Sequence, residues 1–468
     1  MNAALSDLKA LFSSLGQSTA VITGADPVLP TRFRVGEAAA GAIGAVASAA
    51  AGLWQRRGGK TQDIKVDVRR SAASLTGFRH LRLDGKPFPA AQGDVPTMAI
   101  YRCRDGRWIH LHGALPHLRD GTLKILACEN DRTAIAAAVM QWDSGALEDA
   151  LARAGQCGAI LRTAQEWTAH DQGRAVSSEP LVTLERIGDA PPLPLPRAER
   201  PLSGVRVLDL TRILAGPTCA RSLAEHGAEV LHISSPHLPS IPIFIPDTGH
   251  GKRAAFLHLS SANDAETLRG LLATADVFSQ GYRRGGMERL GFGPNVVAKL
   301  RPGIIYVSIN CYGHAGPWAD HPGWEQLAQS CTGIALEHSG KATDDNAPPE
   351  VIPAAPSDYC TGYLAALGVM AALQRRADEG GSWHVKASLA RTAMWFQRLG
   401  MADTTAAREP ISRSEIDAWS LERYTPWGRL GFLGPVAQMS LTPPSWSLPA
   451  VPLGHHAPAW ASSISTHE

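Results

Sequence analysis

The stretch from Val205 to Ile233 constrains the fold more than any other part of the chain. Val205-Arg-Val-Leu-Asp-Leu210 is a mostly apolar run, the pattern of a strand buried on both faces. A turn at Ala215-Gly216-Pro217 follows, then a helical stretch through Glu225 stopped by Gly227, then a second buried strand, Glu229-Val-Leu-His-Ile233. Two such strands joined by one helix form a βαβ unit, whose right-handed crossover sets the strands parallel. Gly303-Ile-Ile-Tyr-Val-Ser-Ile309 repeats the strand pattern, and a helix from Asp358 to Arg376 leads into Trp383-His-Val-Lys-Ala-Ser388. The expected class is α/β, with a doubly wound, Rossmann-like parallel sheet over 202–395.

A chain of 468 residues is longer than one core usually fills, so further units are expected around that sheet. Residues 189–201, rich in proline, read as a stiff extended connector, with the linker itself at 191–201. Upstream, 1–94 reads as a helical segment: a short amphipathic helix, a loop to Arg34, an Ala-rich helix to Arg57, a stop at Gly58-Gly59 and a strand over Asp63–Val68. Residues 95–190 read as a smaller α+β domain that opens with a hairpin turning at Asp105-Gly106. Residues 396–468 read as a C-terminal segment returning to the sheet domain.

Composition removes several function classes. A net charge of +2 gives no electrostatic case for nucleic acid or an anionic membrane. Seven cysteines without a CxxC pair suit reduced thiols in a cytoplasm better than a disulfide frame or a zinc site, so no metal is expected. The N-terminus lacks the basic-then-apolar layout of a signal peptide. The uncharged run Ala38–Gln55 is dominated by Ala and Gly, which points to a buried helix rather than a membrane span. These readings together describe a soluble cytoplasmic protein.

One comparison lies inside the chain. Asp358-Tyr-Cys-Thr-Gly362, an Ala-rich helix, Gln374-Arg-Arg, Gly380-Gly381 and His384-Val-Lys-Ala-Ser388 form an ordered series. Earlier, Glu37-Ala-Ala-Ala-Gly41, an Ala-rich helix, Gln55-Arg-Arg, Gly58-Gly59 and Ile64-Lys-Val-Asp-Val68 repeat it in outline, as a diverged duplication would.

Three stretches carry a resemblance to a known family: Pro201 to Val230, Ala275 to Pro317 and Asp358 to Leu389. They resemble, in family order, the family III CoA-transferases, the group that holds formyl-CoA transferase, carnitine CoA-transferase and α-methylacyl-CoA racemase. The tail from Gly434 to His456 is similar to the family's C-terminal end. Residues 25–190 resemble the second half of such a protein and precede the first half, as in a truncated tandem fusion. The resemblance implies an enzyme that moves CoA from an acyl-CoA to a carboxylic acid, with CoA as substrate and no tightly held cofactor. It also implies an interlocked homodimer.

The resemblance further implies roles by residue. Asp358, at the start of the D-x-x-T-G motif, falls on the nucleophile that carries first the acyl group and then CoA. A helix N-terminus suits that role, because its free N–H groups and dipole hold a carboxylate ionised. The plain alternative is that Asp358 or Ser357 only caps the helix. Glu37, its counterpart in the first copy, reads as a structural acid. Ile213 and Leu214 fall on the thioester end of the CoA site, and Leu214 replaces a polar residue, which points away from an oxalate-like acceptor. Ala215, Gly216 and Trp324 fall on substrate-lining positions. Lys252, Arg253, Tyr282, Arg283, Arg289 and Leu290 fall on CoA-binding stretches, where phosphates need cations and adenine needs an apolar face. Trp324 also stands where the racemases carry a proton-shuttling histidine. Indole cannot take that role, so racemisation ranks last. A CoA-binding relative or scaffold subunit without turnover is the second reading.

Overall fold

The computed structural model describes residues 2–11, 17–89, 95–343, 345–403 and 408–461. Six parallel strands form the centre: Arg206–Asp209, Glu229–Ser234, Lys252–Phe256, Val277–Gln280, Ile305–Asn310 and Ser382–Ser388. Their spatial order is third, second, first, fourth, fifth, sixth, the doubly wound Rossmann arrangement expected from the sequence. Val207, Leu208, Val277, Phe278, Ile305, Val307 and Val385 are buried, as strands covered on both faces require. The order reverses between Arg206–Asp209 and Val277–Gln280, and a crevice opens there at the strands' carboxyl ends.

A seventh strand, Thr183–Gly188, runs antiparallel along Ser382–Ser388. It lies within 95–190, so that stretch lends its last strand to the large sheet. The remainder makes a small unit. Ile100–Arg102, Trp108–Leu111 and Gly158–Ile160 form its antiparallel sheet. Helices Pro116–Leu126, Arg132–Val139 and Ser144–Arg153 supply the rest, around a core that includes Ile109, Leu111, Ile135, Leu147 and Leu151. Gly106, at φ 82°, makes the hairpin turn.

The Ala-rich helix spans Val35–Arg56 and is long and apolar enough to cross a bilayer, yet nearly all of it is buried in protein. It packs along Pro356–Glu379, and Arg56 clasps Asp378 through two contacts of 2.5 and 2.8 Å at the far ends of the two helices. The strand after it is shorter than its alternation suggests, Ile64–Asp67. The Asp67 side chain accepts the Arg70 N–H and starts a helix at Val68, so the capping residue overrides the strand pattern. Val21–Thr23, in the stretch read as loop, pairs parallel to that strand, and Gln438–Met439 pairs on its other side. The C-terminal segment thus straps the first copy. It also reaches the large-sheet domain, where the Trp446 indole donates to Arg221 O on helix Ala215–Glu225 and Gly251 N, just before strand Lys252–Phe256, donates to Leu448 O.

Candidate active site

Helix Pro356–Glu379 begins at the crevice, with Ala355 as its N-cap and Pro356 as its first residue. Asp358 is therefore the third residue inside the helix, and neither it nor Ser357 is the cap. Gly362 sets the helix's depth. A Cβ there would meet Ala215 O at 2.5 Å and Thr218 at 2.7 Å, so only glycine lets the helix press against Ala215–Glu225. That contact carries Asp358 to the cleft floor, 9% exposed.

A second acid occupies the same floor. Glu325, 3% exposed, accepts the Asp358 backbone N–H at 2.5 Å through Oε2 and the Gln329 amide at 2.7 Å through Oε1. The free N–H of the helix end that was expected to serve Asp358 serves Glu325 instead. Among the described residues no donor meets the Asp358 carboxyl. Burial, and then Glu325, push the Asp358 carboxyl well above the usual carboxylate range, so the expectation of a helix end holding it ionised does not stand. Burial also raises Glu325, against hydrogen bonds from Gln329, Asp358 N and Ser357. Both carboxyls are raised together, and of the two only Glu325 has hydrogen-bond donors among the described residues.

The facing wall is the turn after the first strand. Asp209 ends that strand fully buried, and Lys252, 3% exposed, lies 2.9 Å from its Oδ2. His232 is 3.3 Å away, and Thr211 N–H donates to Oδ1 at 3.1 Å. Burial pushes the Asp209 carboxyl up, but Lys252, His232 and Thr211 outweigh it and hold it below its ordinary range. Lys252 is lowered by its own burial, against Asp209, so the two partners shift unequally while the 2.9 Å contact defines the pair. Lys252 also donates to Pro217 O at 2.8 Å, and this internal duty corrects its assignment as a cation for CoA phosphates. Beyond Thr211, Ile213 has φ 71°, a left-handed conformation rare for a β-branched residue. Ile213, Leu214, Ala215 and Gly216 all line the cleft.

The remaining expected residues divide. Tyr282 lines the cleft and an adjoining apolar hollow with Leu290 and Met287. Arg283, on the cleft rim, donates to Gly155 O at 2.9 Å and so joins the large domain to the small unit. Arg289 is exposed and Arg253 lies beside His456, and neither lines these hollows, because short turns and strand alternation aim them elsewhere. Trp324 forms the cleft wall next to Glu325, stacked on buried His112 with ring centres 4.4 Å apart. Leu115, His117, Leu118 and Cys157 of the small unit close the far side of a cleft of about 250 Å³. Among the described residues no cluster of three side chains could hold a metal.

The profile of CoA-transferase family III matches residues 11–191 and 202–424. The chain belongs to CoA-transferase family III. The two matched stretches of this family III chain meet at the proline-rich connector. An acetyl-coenzyme A transferase, nodX, of Hypoxylon pulicicidum is 35% identical over 326 residues, 64% of this chain and 54% of its own length. An acyl-CoA transferase of Gibberella moniliformis is 31% identical over 418 residues, 76% of this chain and 73% of its own. This chain thus spans about half of the first of these relatives. Among solved structures, Rv3272 from M. tuberculosis aligns at TM-score 0.39 and 29% identity, over 43% of this chain and 58% of its own.

Glu325 is the main residue that sequence reading missed. It lies 33 positions from Asp358, and only folding reveals their contact. The available signal was an acid directly after Trp324 in Pro322-Gly-Trp-Glu-Gln326, at the start of a helix. His117 and Cys157 were missed for the same reason, since another unit brings them to the cleft.

Proposed function

We propose that this family III chain moves CoA from an acyl-CoA to a carboxylic acid through covalent intermediates on Asp358. The observation that carries the reading is the Asp358 carboxyl itself, on the cleft floor with no donor engaging it and a raised pKa. Such a group is basic for a carboxylate and unshielded by hydrogen bonds, as a nucleophile needs to be. Its ionised form attacks the donor thioester carbonyl, and the CoA thiolate leaves as an acyl–aspartyl anhydride forms. The thiolate then attacks the aspartyl carbonyl and releases the donor acid, which leaves an aspartyl-CoA thioester. The acceptor carboxylate reverses both steps and restores Asp358. Each step exchanges one anion for another, so no net proton moves. Glu325 keeps its charge on the helix amide and keeps Asp358 basic.

CoA fits the two connected hollows: the base against Tyr282, Leu290 and Met287, and the thioester over Ile213, Leu214 and Asp358. Arg283 and Arg212 supply cations near the passage. Leu214, Ile309, Leu389 and Trp324 around Asp358 favour an acid less polar than oxalate, and faster turnover of oxalate than of apolar acids would overturn that choice. A homodimer in the cytoplasm completes the proposal, with sedimentation as the test of assembly. The free cysteines suit such a reducing compartment.

Peptide mapping after exposure to acyl-CoA thioesters tests the chemistry. A hydroxylamine-sensitive adduct on the Asp358 peptide, absent from Asp358→Ala, is expected. CoA binding without any adduct would leave a CoA-binding scaffold.

A further inference from the structure

Behind the turn that walls the cleft lies a second, smaller cavity of about 60 Å³. Its sides are Leu238, Ile241, Phe244, Ile245, Val451 and Leu453. Lys252 and His232 on its lining both face Asp209, and the Arg212 guanidinium, the one lining cation without a carboxylate partner among the described residues, is turned onto Pro239 O, which leaves the six large apolar side chains to dominate the walls. The chemistry that suits such a space is hydrocarbon. Thr211, Arg212 and Ile213 line both this cavity and the Asp358 cleft, and they are all that the two linings share. Arg212 is anchored by its guanidinium to Pro239 O, and Thr211 is tied to Asp209. Ile213 is the large apolar side chain left in the partition, and it is held at φ 71°.

We propose that Ile213 sets the acyl length this protein accepts, by closing an apolar cavity that would otherwise extend the catalytic cleft. The inference rests on the transferase reading for its ligand. Its geometry is nevertheless testable without chemistry, because S-alkyl-CoA thioethers bind but cannot acylate Asp358. Calorimetric affinities for a series from S-ethyl to S-decyl are compared in four proteins: wild type, Ile213→Ala, Ile213→Ala with Ala254→Phe, and Ile213→Ala with Val451→Phe.

Wild-type affinity should stop rising after the short members. Ile213→Ala should keep gaining about fourfold per methylene, the worth of one buried CH₂, over several further carbons. Either filling substitution should remove that gain while leaving affinity for S-ethyl-CoA near that of Ile213→Ala, which also shows that the protein is folded. Equal chain-length profiles in wild type and Ile213→Ala, or a gain that survives both fillings, would overturn the proposal. The chemistry fails separately, if the thioesters bind with the expected length dependence and never label Asp358.

Discussion

Lys252→Met is the sharpest test of the site's electrostatics, because it separates a phosphate ligand from a structural cation. Lys252 is 3% exposed and Asp209 fully buried, with 2.9 Å between their charged atoms. Removing the lysine strands a buried carboxylate, and breaking such a pair costs about 3–5 kcal/mol. The hydrogen bond from Lys252 to Pro217 O goes too. On a sheet domain of this size the loss lowers the melting temperature by roughly 5–15 °C. Replacing both partners, Asp209→Asn with Lys252→Met, leaves no stranded charge and should recover at least half of the loss. Thermal unfolding by circular dichroism, with CoA affinity beside it, reads all of this. Unchanged melting of Lys252→Met with weakened CoA binding would refute the reasoning and return Lys252 to the phosphates.

Glu325→Gln removes the like charge beside Asp358, so the acidic limb of the activity–pH profile should move to lower pH. The reactive carboxylate is lost as pH falls through its raised pKa, and an unmoved limb would count against the pairing. Gly362→Ala, which stabilises most helices, should here cost about 1–3 kcal/mol, since the new Cβ meets Ala215 O at 2.5 Å; denaturant titration decides the sign. The Asp26 carboxyl is raised from 3.8 to about 6 by burial and then by Glu37, against hydrogen bonds from Glu37, Val28 and Gly36. Its contribution is full below pH 4 and lost as pH rises through about 6, roughly 3 kcal/mol in all. Asp26→Asn should flatten the stability–pH curve between those limits, and an unchanged slope would reject the assignment.

The class of the sheet and four of its six parallel strands were legible because buried parallel strands write apolar runs, which need no partner to be recognised; Lys252–Phe256 and Val277–Gln280, which carry polar residues, were not read as strands. The placement of Asp358 on the cleft was legible through its motif, but its electrostatics were not. A helix start says that N–H groups are free, and nothing local says that Glu325 will take them. Lys252 failed for a related reason. Its charge suggested phosphate, whereas the burial that decides its role depends on Asp209, 43 positions away. Contacts between units were the least legible, as with Cys157 and Leu118 closing the cleft.

The two Ala-rich helices show what makes a carboxylate at this position available for chemistry. In each, the backbone N–H at the aligned acid donates to another carboxylate: Glu37 to Asp26 at 2.8 Å, Asp358 to Glu325 at 2.5 Å. The side chains then differ. Glu37 accepts the Asp26 N–H at 3.2 Å and lies 3.7 Å from Arg34, so its charge is matched within its own loop. Among the described residues Asp358 has no such partner, and it opens on the cleft. The helix and its acid pair are therefore not sufficient. Glu325 lies 33 positions from Asp358 and gives its carboxyl nothing in return, whereas Asp26 lies 11 positions from Glu37 and donates its own N–H back, so of the two aligned acids Asp358 is the one that faces the cleft unengaged among the described residues.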